Sequence, residues 1–270
     1  MNIPLEDLFN DVISKAQRGL GFSLETLSEK SGVHPSQIEA VKNGALDEAV
    51  LLKLATALQL HGTSLIEMAK GGWYPQGVNV EGLAQFNTVY HDMTVNAYLV
   101  WDPATREAAA FDTGATAEPM LAAIHDLGLK LKFLFLTHTH PDHVADIPSL
   151  AGSEVLASER EPHPAARSFV SGTRWKLGGL GIESRSTWGH SKGGTTYVVT
   201  GLARPVAVVG DALFASSMGG GMVSYADALD TNRKEIFSLS DETVIAPGHG
   251  PLSSVGEEKS HNPFYPEFKS

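Results

Sequence analysis

The segment 138–143 reads His-Thr-His-Pro-Asp-His and carries three imidazoles and one carboxylate within six residues. It follows the apolar run 133–136, which predicts a buried strand. The side chains therefore lie on the loop that leaves the carboxyl end of that strand, where open α/β folds place their sites. Imidazole and carboxylate groups suit a borderline divalent metal such as zinc. Four ligands in so short a stretch are too many for one ion, which indicates two.

Three residues farther along the chain have a similar setting. His190 follows a glycine at the start of a turn. Asp211 comes after the apolar run 206–209 and a glycine, and His249 comes after the run 244–246 and a Pro-Gly pair. In each case a ligand-type side chain follows a glycine, which allows the backbone to approach closely. Each signal alone is weak, but together and in this order they predict one site.

Residues from about 80 to 270 resemble the metallo-β-lactamase superfamily, in its glyoxalase II-like branch. The positions that match the superfamily's motifs are, in chain order, His138, His140, Asp142, His143, His190, Asp211 and His249. The resemblance implies an α/β fold in which two β-sheets stack between outer helices, an αββα sandwich with the metals at one edge.

The resemblance also implies how the ligands divide. One ion would be held by His138, His140 and His190, the other by Asp142, His143 and His249, with Asp211 bridging the two. We expect two divalent ions, zinc first, with iron or manganese as alternatives. Asp142 and Asp211 are the expected catalytic residues. Asp112 matches a supporting position of the family, although a simple turn aspartate is an equally good interpretation.

The chemistry expected of this site is the attack of a metal-bridged hydroxide on an ester-like carbonyl of a small-molecule substrate, a thioester before a lactone or β-lactam. A bound zinc ion lowers the pKa of water from about 16 to about 7. The chain has no cysteine and no Gly-x-Ser-x-Gly elbow, so a covalent acyl-enzyme route has no candidate. Only about 20 residues follow His249, so we do not expect the extension that holds glutathione in glyoxalase II.

Two alternative functions remain open. One is a mononuclear iron persulfide dioxygenase, a branch with the same first motif, whose iron would be held by His138, His190 and Asp211. The other is a transcriptional regulator in which the metal domain senses a ligand. Metal identity separates the dioxygenase from the hydrolase, and DNA binding tests the regulator.

The composition bounds the class of protein. The chain has 270 residues, 42% of them hydrophobic, and a net charge of −11, which disfavours a general affinity for nucleic acid. Its first residues lack the apolar segment of a signal peptide, and no run approaches the roughly 18 apolar residues of a membrane helix. We therefore expect a cytoplasmic protein without membrane contact.

Residues 1–72 have a different pattern, five short helices with a Ser-Gly-Val turn between the second and the third. They resemble a lambda-repressor-like helix-turn-helix domain, so we divide the chain into this small all-α domain, 1–72, and the catalytic domain, 73–270. The expected second and third helices span 23–30 and 35–43, and a capping box at 64–67 is expected to begin the fifth.

DNA binding by this first domain is conceivable but disfavoured by its charge. Residues 1–72 hold six basic and nine acidic residues, a net charge of −3, and Glu39 lies on the helix that would read DNA. Phosphate contacts by Lys and Arg supply most of the affinity of such domains. We therefore favour dimerisation, giving a homodimer, or packing over the catalytic domain.

In the second domain the sequence predicts alternating strands and helices. The expected strands are 95–101, 107–111, 133–137, 154–157, 182–186, 195–199, 206–209 and 243–246. The expected helices are 117–127 and 225–238.

Overall fold

The computed structural model describes residues 3–269, and its first part is helical. Five helices occur, α1 (Phe9–Gly19), α2 (Leu24–Ser31), α3 (Pro35–Lys42), α4 (Glu48–Ala57) and α5 (Gly62–Ala69). The Ser23 hydroxyl accepts a hydrogen bond from the backbone N–H of Thr26 at the start of α2, and Gly32 ends that helix in the left-handed conformation. The five expected helices are therefore present, while their helix-turn-helix assignment stays a prediction.

The start of the fifth helix differs from the sequence-based expectation. Ser64 was expected to begin it as a capping residue, but α5 begins two residues earlier, at Gly62. The residue that caps it is His61, whose Nδ1 accepts a hydrogen bond from the backbone N–H of Ser64 at 3.3 Å. Histidine is uncommon in this position, so residue preferences favoured the serine.

The second part is a two-sheet sandwich. Its strands are β1 (Leu83–Tyr90), β2 (Met93–Trp101), β3 (Glu107–Phe111), β4 (Lys130–Phe135), β5 (Glu154–Ser158), β6 (Arg167–Phe169), β7 (Arg174–Leu177), β8 (Leu180–Ser186), β9 (Thr195–Thr200), β10 (Val206–Gly210), β11 (Val244–Pro247) and β12 (Ser253–Ser254). Its helices are α6 (Glu118–Asp126), α7 (Pro141–Val144), α8 (Tyr225–Thr231) and α9 (Val255–His261).

Each sheet has six strands in sequence order, β1 to β6 in the first and β7 to β12 in the second. Of the strands that lead toward the ligand loops, β4 pairs in parallel with β3 and β5, and β10 pairs in parallel with β11. The remaining one, β8, runs in the same direction as β10, because both pair antiparallel with β9. Buried aromatic side chains fill the space between the sheets; they include Phe111, Phe135 and Tyr197, whose ring centroids lie 4.9 to 5.5 Å apart. The expected αββα sandwich is confirmed.

The last long helix is shorter than expected. A helix over 225–238 was expected, but α8 ends at Thr231 and a π-helical turn continues it over 232–236. The buried amide of Asn232 donates to the Ala212 carbonyl and to the Tyr265 hydroxyl, at 2.6 and 2.8 Å. These long-range hydrogen bonds accompany the change of helical pitch, and a sequence pattern does not reveal them.

The N-terminal helices and the sandwich share one hydrophobic core. It joins buried residues of α1 to α5, such as Ile13 and Leu54, to buried residues of the second part, such as Val209, Leu213 and Phe264. The helices therefore pack over the sandwich, one of the two arrangements favoured for them. The boundary at residue 72 stays a prediction. Among residues 3–269, no helix combines the length and apolarity needed to cross a membrane.

Candidate metal centre

The seven candidate ligands come together at one edge of the sandwich. The segment after β4 supplies His138, His140, Asp142 and His143; β8, β10 and β11 are followed by His190, Asp211 and His249 respectively. The carboxyl ends of parallel strands meet at the same edge of a sheet, which explains why residues more than a hundred positions apart are neighbours. They form two groups that each fit a metal ion.

The first group contains His138, His140, His190 and Asp211. The Nδ1 atom of His140 lies 3.0 Å from Nε2 of His138 and 3.1 Å from Nε2 of His190. The Asp211 Oδ2 atom lies 3.4 Å from the His190 Nε2 atom and 3.9 Å from that of His138. A tetrahedral zinc ion with bonds of about 2.05 Å needs ligand atoms about 3.3 Å apart. The four distances of this group, 3.0 to 3.9 Å, lie on either side of that value.

The second group contains Asp142, His143 and His249. The Asp142 Oδ2 atom lies 3.3 Å from His249 Nε2 and 3.5 Å from His143 Nε2. Asp211 reaches this group too, because its Oδ1 atom lies 3.3 Å from His143 Nε2 and its Oδ2 atom lies 3.5 Å from His249 Nε2. One carboxylate therefore touches both groups, as a bridging ligand must.

Hydrogen bonds on the outer side fix two of the imidazole rings. His190 donates from Nδ1 to the Gly220 carbonyl at 2.9 Å, and His249 donates from Nδ1 to the Thr94 carbonyl at 2.6 Å. A carbonyl can only accept, so the proton of each neutral ring lies on Nδ1. The Nε2 lone pairs therefore point into the cluster, as metal-binding histidines require.

Asp112 fixes the other side of the cluster. Its Oδ2 atom accepts hydrogen bonds from His143 Nδ1 at 2.8 Å and from the Thr137 hydroxyl at 2.7 Å. The Thr137 oxygen in turn lies 3.1 Å from His138 Nδ1 and can accept its proton. Asp112 has a φ of +58°, a strained conformation for a non-glycine residue. These contacts agree with the supporting role expected of Asp112 and not with a simple turn aspartate.

The charges of the second group are strongly coupled. Burial lowers the pKa of His143, but the carboxylates of Asp211 and Asp112 outweigh that effect and raise it to about 10. Burial also lowers the pKa of His249, and Asp211 and Asp142 raise it to about 11. Burial raises the pKa of Asp211, whereas His143 and His249 hold it well below its usual range. These carboxylates need cationic partners, either protons on the rings or metal ions.

The residues present fit divalent metal ions. Within residues 3–269, His143 Nε2 and Asp211 Oδ1 are buried and have no hydrogen-bond partner. Native proteins rarely leave buried polar atoms unpartnered, because each one loses its hydration without a replacement. Three imidazoles and a shared carboxylate, with their lone pairs directed inward, are a donor set for zinc, iron or manganese.

Glycines allow this close approach. A Cβ atom on Gly219 would lie 1.8 Å from the Asp211 carbonyl oxygen, and one on Gly248 would lie 2.0 Å from Asp211 Oδ1. Neither position could carry a side chain without displacing Asp211. The Gly219-Gly220-Gly221 run therefore contacts the cluster closely, and its middle carbonyl is the one that holds His190.

Sequence reasoning missed several residues that support the site. The Glu161 carboxylate accepts hydrogen bonds from the Thr139 backbone N–H and hydroxyl and from the Gly193 N–H, at 2.7 to 2.8 Å, and so ties the first ligand loop to the loop after His190. No motif marks Glu161. Thr137 could have been found, since a hydroxyl directly before the first histidine lies at the strand end.

Comparison with known proteins adds to this geometry. The sequence profile of the Metallo-beta-lactamase superfamily matches residues 92–173. Hydroxyacylglutathione hydrolase GloC of Haemophilus influenzae is 30% identical over 197 residues, which cover 63% of this chain and 92% of that protein. Human mitochondrial persulfide dioxygenase ETHE1 is 29% identical over 178 residues, which cover 62% of this chain and 69% of that protein.

A solved structure agrees with these matches. The crystal structure of ETHE1 from Myxococcus xanthus superposes with a TM-score of 0.60 at 26% identity, covering 68% of this chain and 85% of that one. The matched relatives include both a hydrolase and a dioxygenase, so they do not decide the reaction. Similarity to GloC across nearly all of its length, together with the profile match and the shared fold, shows that the chain belongs to the metallo-β-lactamase superfamily.

Proposed function

We propose that the protein is a metal-dependent hydrolase that attacks an ester-like carbonyl, a thioester before a lactone, at a centre of two divalent ions. The observation that carries this proposal is the position of Asp211, whose two oxygens lie within 3.3 to 3.5 Å of nitrogens from both ligand groups. A second ion held by Asp142, His143 and His249 would share this carboxylate with the first.

Two divalent ions bound here would supply a nucleophilic water at neutral pH and polarise the carbonyl that it attacks. The chain's own residues would position these partners. Asp142 is well suited to orient the water and accept its proton, because its side chain is only partly buried at the edge of the cluster. The hydrogen bond from His249 and the charge of His143 outweigh the effect of burial and lower the pKa of Asp142, so it is ionised at neutral pH.

The buried rings would keep the centre rigid. His190 and His249 are tied to backbone carbonyls and His143 to Asp112, so none of the three can turn without breaking a short hydrogen bond. Rigid partners need little reorganisation when charge develops on the substrate oxygen. The chain has no cysteine, and the mechanism needs no covalent intermediate.

The second candidate function is a persulfide dioxygenase with one iron held by His138, His190 and Asp211. The observation in its favour is the 29% identity to the human enzyme of that name. Asp142 and His143 of the second ligand group belong to the first motif that the dioxygenase branch shares, so this group does not separate the two functions; metal content and substrate use do.

Metal content and substrate use test the proposal together. Protein purified without added metal should carry close to two zinc, iron or manganese ions per chain. It should hydrolyse thioesters in a panel that includes lactones and β-lactams, and a chelator should abolish this activity. One iron per chain, with oxygen uptake on glutathione persulfide and no hydrolysis, would establish the dioxygenase instead.

We further propose that the N-terminal helices serve the catalytic region rather than DNA. They share its hydrophobic core, and Glu39 is exposed on α3, where phosphates would be repelled. Fluorescence anisotropy with DNA from upstream of the protein's own coding sequence should show no specific binding at physiological salt. Tight, sequence-dependent binding would support the ligand-sensing regulator.

A further inference from the structure

An open cavity of about 500 Å³ lies between the start of the chain and the β1–β2 hairpin. Residues from both parts line it: Pro4, Leu5, Glu6, Val89, His91, Asp92, Met93 and Thr94. The first three precede α1, so the chain before the helical part forms one wall. The sequence alone gave no reason to place this segment near the ligands.

The cavity borders the metal centre on the His249 side. The Thr94 carbonyl, which belongs to the lining, accepts the hydrogen bond from His249 Nδ1. The Glu6 Oε2 atom lies 4.0 Å from the same nitrogen. Gly250 lets the segment come this close, since its φ is +78° and an added Cβ would lie only 3.3 Å from the Glu6 nitrogen. Because Nδ1 is the outer nitrogen of His249, the cavity lies directly behind this ring as seen from the ligand cluster, and the far end of a substrate that passes the ring would enter it.

An ion pair between the partly buried Lys15 and the buried Asp7 fixes the segment in place. The Asp7 carboxylate accepts hydrogen bonds from the Lys15 ammonium and from the Ser217 hydroxyl, both at 2.5 Å. The ammonium also donates to the Met218 carbonyl at 2.9 Å. Ser217 and Met218 belong to the loop that follows Asp211, so the wall and the bridging ligand are held by one network. A preorganised wall costs little ordering entropy when a ligand binds.

The charge of the lining is one-sided. Glu6 and Asp92 are carboxylates, and none of the lining residues found within 3–269 is a Lys or Arg. The Lys15 ammonium is taken up by Asp7 and a backbone carbonyl. Val89 and Met93 present exposed apolar surface, 71% and 44% accessible. The lining itself therefore offers apolar contact and two carboxylates, which attract a cationic group and repel an anionic one.

We propose that residues 4–6 and 89–94 form a substrate subsite that binds a positively charged, partly apolar end of the substrate and disfavours an anionic end. This inference rests on the proposed hydrolase function and deepens it, because it names the class of substrate. The order of preference is ammonium-bearing, then uncharged, then carboxylate-bearing. Glu6 is the specificity-determining residue, since it lies closest to His249 among the charged lining residues.

The test compares thioesters of one size that differ in charge. Matched substrates carry an ammonium, a neutral amide or a carboxylate, placed on the thiol part in one series and on the acyl part in another. They are assayed with the zinc-loaded full chain, with Glu6→Lys, with Glu6→Gln and with Glu29→Lys. Glu29 is exposed on α2, so this last variant makes the same change of net charge away from the site.

In at least one series, kcat/KM for the ammonium substrate should exceed that for the carboxylate substrate by about tenfold, the effect of one charge near a protein surface. Glu6→Lys should reverse this ratio, Glu6→Gln should reduce it, and Glu29→Lys should leave it unchanged. Thermal unfolding checks that each variant folds. If Glu6→Lys does not fold, the conservative variant Glu6→Gln still tests the subsite.

Calorimetry with the corresponding thioethers, which cannot be hydrolysed, separates this inference from the hydrolase. Equal kcat/KM for all charges in all variants would overturn the subsite and leave the hydrolase standing. Thioether binding that prefers ammonium and depends on Glu6, without any hydrolysis, would support the subsite and overturn the hydrolase. Absence of both hydrolysis and binding would overturn both.

Discussion

The N-terminal helices and the metal edge of the sandwich bury side chains of opposite character. In the helices the buried side chains are mostly apolar, and Leu27, Leu51 and Leu54 are fully covered. At the metal edge the buried side chains are charged or polar, with His143 fully covered and Asp112 nearly so. Burial of apolar surface stabilises a fold, whereas burial of ionisable groups costs free energy unless they find partners.

The difference shows that the two regions obey local folding rules to different degrees. The helical region is more consistent, since its residue spacing and its apolar core agree. It departs from local rules at the cap of α5, at Gln59 with a φ of +59° and at Asn10, whose Oδ1 has no hydrogen-bond partner within residues 3–269. The metal edge breaks local rules, with unpartnered atoms on His143 and Asp211 and a positive φ at Asp112. Such violations concentrate at functional sites, where the surrounding structure enforces them. Variants in each region should therefore fail in different ways.

The largest expected effect comes from Asp211→Asn. The amide group replaces one of the two oxygens that reach both ligand groups, and an amide nitrogen does not bind a metal. Metal content should fall below two ions per chain, and hydrolysis should fall by more than about 100-fold, since even residues that only orient ligands cost 10- to 100-fold. Elemental analysis and thioester assays measure both, with exposed Asp126→Asn as control. Full metal content and activity would remove the bridging role.

The next largest effect is expected from Leu54→Ala, which destabilises the N-terminal helices. Leu54 is fully buried in the shared core, so its truncation leaves a cavity and should lower the free energy of unfolding by about 3 kcal/mol. Metal content per folded chain should not change, because no candidate ligand lies in α1 to α5. Leu52→Ala is the matched control on the same helix, since Leu52 is 47% exposed. Loss of metal from folded Leu54→Ala protein would show that the packing of the N-terminal helices also controls metal binding.

Glu258→Gln tests a buried carboxylate outside the metal edge. Burial raises the pKa of Glu258 to about 7, although Asn262 and the Ser216 N–H donate to it. The folded-state pKa exceeds the unfolded one, so its contribution to stability is complete below about pH 4.5 and is lost as the pH rises through 7. The variant should be more stable than the native chain at pH 8 by on the order of 2 kcal/mol.

Denaturant unfolding at pH 4.5 and pH 8 measures this difference for Glu258→Gln, with exposed Glu29→Gln as control. The gain should vanish at the lower pH, where the native carboxyl group is protonated in the folded state. An equal effect at both pH values would show that Glu258 is not a titrating buried acid. The contrast between buried apolar and buried ionisable side chains would then hold for the metal edge alone.

Asp112→Asn should have the smallest of these effects. The asparagine oxygen can still accept from the Thr137 backbone N–H, as Asp112 Oδ1 does at 2.7 Å. The hydrogen bond from His143 loses its charged acceptor, so the ring is less firmly held. Metal affinity should fall by about tenfold, at the low end for residues that orient ligands. Competition with a chromogenic chelator measures it; unchanged affinity would reduce Asp112 to a turn residue.

The sequence predicted the regular elements where burial was regular. The strand expected at 107–111 agrees with β3 to the residue, and the expected strands at 195–199 and 206–209 differ from β9 and β10 by one residue. The pattern missed β1 and the short strands β6, β7 and β12. The longest of these, β1, lies at the edge of its sheet, is mostly half-exposed and mixes Gln85 and Asn87 with apolar residues. An edge strand of this kind gives neither an alternating nor a continuous apolar signal.

The sequence by itself determined the seven ligand-type residues and their placement at strand ends, because both depend on local order along the chain. Only the tertiary structure decided what surrounds them. The bond from Ser217 to Asp7 joins residues 210 positions apart, and the contact of Glu6 with His249 spans a similar distance. No spacing rule reaches so far, because the packing of the whole sandwich against the helices fixes which distant side chains meet.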